Sequence, residues 1–179
     1  MKFQFVLAAA VVVLAVPAQA QSVKSEVTAS NGIVVTVYAD AFAGRYEYTA
    51  PAITIDSGFA LVARVVRGDT VPPISVQGVF NYSGEWRYYT SAVFRGGDPV
   101  DYKEGSRDVG RCRASRYSSS CSLSEEFHIN LSEADIAGHA ENGALAMQVR
   151  ASRSSDVSLI SVPLTYFDAV KEVSERPRP

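Results

Sequence analysis

The sequence predicts an all-β chain: an antiparallel β-sandwich, immunoglobulin-like, with one short helical crossover near 132–142. Three observations carry this. Apolar residues fall on every second position in several short segments, the period of a strand with one dry face and one wet face. Turn residues such as Asn31-Gly32, Gly68-Asp69 and Ser83-Gly84 recur between those segments. One stretch alone, Ser132 to Gly143, carries the chemistry that starts and stops a helix. Eight to ten short strands at regular spacing fit a sandwich, and a small antiparallel β-barrel is the competing architecture. The Cys…Trp…Cys order of antibody domains is absent, since Trp86 precedes both cysteines.

Residues 1–20 read as a signal peptide. Lys2 supplies a short positive region, Phe5 to Val16 an apolar core too short to span a membrane comfortably, and Ala18-Gln19-Ala20 a small-x-small cleavage site. Cleavage there leaves Gln21 to Pro179, 159 residues with 16 basic and 19 acidic side chains, a net charge of −3. That length suits one domain, expected over 21–170. The charge argues against a whole-protein grip on nucleic acid. The expected location is periplasmic or extracellular, with no membrane-spanning segment after signal removal.

From the N-terminus, Val23–Ala29 and Ile33–Tyr38 form a hairpin around Asn31-Gly32, both of which accept the positive φ of a type I′ turn. Tyr46 and Tyr48 share one face of a short strand, and Ile53–Ile55 continues beyond Pro51 at an edge or bulge. Phe59 to Val66 is apolar on both parities, as expected of a central strand covered on both faces. Pro72-Pro73 forbids regular pairing. Ile74, Val76, Phe80 and Tyr82 then alternate with polar residues. Trp86 to Phe94 returns, with Trp86, Tyr88 and Phe94 on one face and Arg87, Tyr89 and Arg95 on the other.

Gly96 to Gly110 holds six charged side chains and reads as an exposed loop. Cys112 and Cys121 follow, and in an oxidising compartment they are expected to form a disulfide that closes a hairpin. So short a loop gains about 2–3 kcal/mol on the chain-entropy model. Leu123, Phe127, Ile129 and Leu131 alternate along the next strand. Ser132 is an N-cap with Asp135 completing a capping box, and Asn142-Gly143 is read as the helix stop. Leu145–Ala151 and Val157–Leu164 close the sandwich, and 171–179, charged and with two prolines, reads as a disordered tail.

The chemistry-bearing residues are sparse. The chain has two histidines, His128 and His139, and no Gly-x-Ser-x-Gly elbow. It also lacks His-x-x-x-His and any Cys/His cluster. No cofactor or metal is expected, though the acidic residues of 98–108 could supply oxygen ligands for calcium. The expected function is non-enzymatic: a secreted or periplasmic β-sandwich that binds a protein or an anionic envelope polymer. Arg111, Arg113, Arg116 and Tyr117 are the candidate partner-binding residues, because a local basic patch meets acidic partners. The alternative is a carbohydrate-binding module using an exposed aromatic face of Trp86, Tyr88 and Tyr89. A third reading, an exported hydrolase, needs a histidine placed against a nucleophile or carboxylate in a cleft.

Overall fold

The computed structural model describes residues 22–70, 72–114 and 119–177. The chain is a two-layer antiparallel sandwich. The larger sheet contains β1 (Val23–Thr28), β2 (Val34–Asp40), β3 (Arg45–Thr49), β4 (Ile53–Ile55), β5 (Gly58–Arg67) and β6 (Ile74–Ser83), then β8 (Asp101–Ala114) and β9 (Ser119–Leu131). Its order is β1-β2-β3-β5-β6-β9-β8, with β4 beside β5. The smaller sheet contains β7 (Tyr89–Phe94), β10 (Ala140–Glu141), β11 (Ala144–Ala151) and β12 (Val157–Pro163), with β11 in the middle. Two short helices, α1 (Glu133–His139) and α2 (Leu164–Glu175), complete it.

No closed barrel forms, because β1 and β8 end the larger sheet without pairing to each other. The immunoglobulin-like expectation is not confirmed. That fold divides seven strands four and three, whereas here an eight-stranded sheet faces a four-stranded one.

The inner faces supply the core. Val62, Val76, Phe80, Phe127 and Ile129 of the larger sheet belong to one buried cluster with Phe94, Met147, Val149 and Ile160 of the smaller sheet. The smaller sheet is too narrow to cover all of its partner. Helix α2 completes the layer against β2, β3 and β5, burying Phe167, Ala169, Val170 and Val173. This corrects the expected disordered tail: residues 171–175 belong to the helix. Leu164, Phe167, Val170 and Val173 recur every third residue and make one apolar stripe. The charged residues lie beside it, Lys171 pairing with Glu133 at 2.7 Å and Glu172 receiving the Ser30 N–H and hydroxyl. No helix among the described residues is long and apolar enough to cross a membrane.

Several local expectations change. The segment read as the loop Gly96–Gly110 is largely strand β8, paired to β9. Bulges between Glu104 and Arg107 and between Val109 and Cys112 break its alternation, which is why no period of two is visible. The Asn31-Gly32 hairpin forms, but only Gly32 has positive φ. Gly32 N–H bonds to Ala29 O and Ala29 N–H to Ile33 O, a three-residue loop ending in a glycine bulge. Ser132 caps α1 with the full capping box. The helix stops at His139, and Asn142-Gly143, both at positive φ, make the two-residue turn between β10 and β11. Strand β5 is central, yet its outer face is only half covered: Phe59 is 43% exposed.

Candidate functional site

Strand β9 has an inward position that its apolar alternation leaves unfilled. Between Leu123 and Phe127 sits Glu125, a carboxylate with 2% exposure. Burying such a group is costly unless its lone pairs are met. Four donors meet them. The Tyr82 hydroxyl and the Tyr88 N–H (3.0 Å) donate to Oε1, and the Tyr89 N–H (3.2 Å) and Arg107 Nε (3.1 Å) donate to Oε2. Burial pushes the Tyr82 phenol well above its ordinary pKa. The Arg87 N–H opposes this, and the hydrogen bond and charge of Glu125 add to it, so the hydroxyl keeps its proton and donates.

This carboxylate shapes the link between β6 and β7. Tyr88 stands at φ 54°, in the left-handed region that a bulky side chain rarely adopts. Both of its backbone groups are held: the N–H by Glu125, and the carbonyl by the Ser152 N–H at 2.9 Å and the Ser152 hydroxyl at 3.2 Å. Such a backbone costs about 1–2 kcal/mol and persists where the surroundings over-determine it. Its effect is to turn the Tyr88 ring away from the core and into contact with two guanidiniums. Arg153 lies 4.1 Å and Arg107 4.8 Å from the ring centroid. The Trp86 ring is 6.4 Å away, inclined by 50°.

These rings line an open cleft of about 860 Å³ at one end of the sandwich. Arg153, Ser154 and Asp156 from the β11–β12 connection form a further part of its lining, as do Val109 and Cys121 beside the stapled hairpin. Arg87 is fixed from several sides. It pairs with Asp156 at 3.3 Å, donates to the Tyr89 hydroxyl at 3.1 Å and lies 4.5 Å over the Tyr82 ring. Asp156 also accepts from the Ser154 hydroxyl at 2.8 Å. The cleft thus offers the half-buried Trp86 ring, a Tyr88 ring already in contact with two guanidiniums, and a set of polar groups whose positions are already determined.

Of the three aromatic residues proposed from the sequence, Trp86 and Tyr88 reach this cleft. Tyr89 does not: it is 1% exposed and packs on Phe80 at 4.3 Å between centroids. The alternation counted from Trp86 fails because Tyr88 reverses the backbone and β7 begins only at Tyr89. Phe94, placed by that count on the face of Trp86 and Tyr88, is buried. Cys112 and Cys121 form the disulfide across β8 and β9, with an S–S distance of 2.07 Å. Arg111 is exposed within the second β8 bulge, and Arg113 pairs through its backbone with Ser120. Arg116 and Tyr117 lie outside the described residues.

The acidic residues of 98–108 are dispersed. Asp98 meets His139 at 3.3 Å, Asp101 accepts from Asn130 at 2.7 Å, and Glu104 pairs with Arg107. Among the described residues no three His, Cys, Asp or Glu side chains gather as a metal site would require. His139 stacks on Phe94 at 3.9 Å, with Nδ1 at the Asp135 carbonyl and Nε2 at Asp98. His128 lies on the outer face of the larger sheet. Glu125, Arg107 and Arg153 are the site residues that strand counting missed. Only Glu125 carried a signal, as a charge at an inward parity.

Comparison with protein-family models, curated proteins and solved structures found no match for this chain.

Proposed function

We propose that this is an exported, non-enzymatic binding module that seats a sugar polymer of the cell envelope in the Trp86–Tyr88 cleft. One observation carries the reading. Tyr88 is held in an unfavourable backbone by a buried carboxylate, and the outcome is a ring presented in an open cleft. A ring needed only for packing would face the core, as Tyr89 does. The Trp86 ring supplies the face that stacks on the apolar face of a sugar ring, and Tyr88 fixes beside it the Arg107 and Arg153 guanidiniums that can donate to the sugar's oxygens. Arg87, Ser154 and Asp156 offer a donor, a hydroxyl and an acceptor for the sugar's hydroxyls. The disulfide fits an oxidising compartment, which supports export.

The test is binding of mature Gln21–Pro179 to solubilised envelope glycan, with Trp86→Ala and Tyr88→Ala beside the wild type. Each variant should weaken binding at least about fivefold, in keeping with about 1–3 kcal/mol for one stacked ring, without loss of folded structure. Undiminished binding in both would refute the cleft. Capture of one discrete protein instead, lost when Arg111, Arg113 and Arg116 are changed to Ser, would move the assignment to the stapled hairpin.

A further inference from the structure

The outer face of the larger sheet carries a second feature, which does not depend on the cleft. Strand β5 runs to Arg67, but β6 pairs with it only as far as Ala63, opposite Ser75. The connection through Thr70, Pro72 and Pro73 therefore folds back beside the overhang and walls a groove of about 530 Å³. Two prolines keep that wall from joining the sheet. Val65, Ser75 and Gln77 also line the groove.

Its charge is one-sided. Arg45, Arg67 and Lys103 line it against a single carboxylate, Glu47, which is already paired with Arg45 at 2.6 Å. Arg67 is exposed and has no ion pair or side-chain hydrogen bond among the described residues. Lys103 has only a loose contact with Asp101 at 3.8 Å, and Asp101 is engaged by Asn130. His128 sits in register between Gln77 and Lys103.

Spacing decides what these cations can hold. Arg67 is on β5 and Lys103 on β8, with β6 and β9 between them. Three strand spacings are roughly 14 Å across the sheet, and Arg67 lies six residues along β5 beyond Leu61, the position level with Lys103, roughly 20 Å more, while side chains stand nearly perpendicular to a sheet. One small oxyanion cannot neutralise both, whereas a chain with repeated negative groups can. Between the cations lie Thr70, Ser75, Gln77 and Asn130, which hydrogen-bond hydroxyls, and no Phe, Tyr or Trp lines the groove to form a base-stacking platform, its one ring being the His128 imidazole. We infer that this groove, running across β5, β6, β9 and β8, binds an acidic polysaccharide, a sugar polymer with repeated carboxylate or phosphate groups, through Arg67 and Lys103.

The experiment is affinity electrophoresis of mature Gln21–Pro179 in gels containing polygalacturonate, a phosphorylated mannan, neutral dextran or duplex DNA. Retardation is expected with the acidic polysaccharides and not with dextran, and the two acidic gels separate carboxylate from phosphate as the preferred group. It should weaken about tenfold between low and roughly half-molar salt, as exposed charge contacts are screened. The double variant Arg67→Ser, Lys103→Ser should lose at least about tenfold in affinity, and Arg67→Glu should lose more, since it adds repulsion. Both sites are exposed, so folding is checked by an unchanged melting curve. Trp86→Ala should bind the acidic polymers normally, which separates failure here from failure of the cleft. Retardation by DNA equal to that by polygalacturonate would overturn the assignment. So would binding that survives the double variant, or that is lost instead on changing Arg111 to Ser.

Discussion

Two inward positions of the larger sheet hold a charge where the pattern calls for an apolar residue, and they are used differently. Arg64 on β5 is 5% exposed and reaches out beneath α2. Its Nε donates to the Pro72 carbonyl at 3.1 Å, and Nη1 donates to the Ser174 hydroxyl at 3.1 Å and to Glu175 at 3.4 Å. Its cation sits at the C-terminal end of the helix, where the dipole favours it. Glu125 on β9 instead spends two of its four hydrogen bonds on the backbone of Tyr88 and Tyr89. Arg64 fixes an element that completes the core. Glu125 fixes a turn whose exposed product is an aromatic ring. A buried charge can thus serve packing or presentation, and its partners tell which.

Breaking each network should separate the two roles. Glu125→Leu carries the largest expected effect, about 3–5 kcal/mol, because it leaves three donors, the Tyr82 hydroxyl and the Tyr88 and Tyr89 N–H groups, without their acceptor, while Arg107 keeps Glu104. Urea unfolding would measure this, and polymer binding in the cleft should be abolished. Arg64→Ala should cost less, about 3 kcal/mol, since Glu175 is half exposed and can return to water. Hydrogen exchange should then rise near the end of α2 while cleft binding stays intact. Equal losses of binding in both variants would erase the distinction.

Cys112→Ser tests whether the staple belongs to either network. It should lower stability by about 2 kcal/mol and leave the domain folded, because β8 and β9 are paired along most of their length. The smallest effect concerns Glu172. The hydroxyl of Ser30, then Arg176 and the Ser30 N–H, hold its carboxyl down to about 2. A lowered folded-state pKa stabilises above the ordinary value of 4.5 and is lost as pH falls from there toward 2. Comparison of acid unfolding for wild type and Glu172→Gln should show the wild-type advantage only above that window.

The strands were legible because alternation and turn residues survive wherever one face is wet. Strand β8 was not, since two bulges shift its parity and its edge position favours charge. Helix α2 is present in the sequence as Leu164, Phe167, Val170 and Val173, but Leu164 reads as the end of a strand, and the charges and two prolines of 171–179 read as a tail. In the cleft, Trp86 and Tyr88 were found by residue type. The burial of Tyr89 was hidden because nothing in the sequence marks a tyrosine for positive φ. Glu125 was legible in principle: it occupies the one inward slot between Leu123 and Phe127.

The most direct test of the strained, presented ring compares Tyr88→Gly with Tyr88→Ala. Both remove the ring, and only glycine adopts φ 54° without strain. The glycine variant should be more stable than the alanine variant by about 1–2 kcal/mol, and both should lose binding of envelope glycan. Equal stabilities, or glycan binding retained in either variant, would contradict the claim that Glu125 holds this turn against strain in order to present Tyr88.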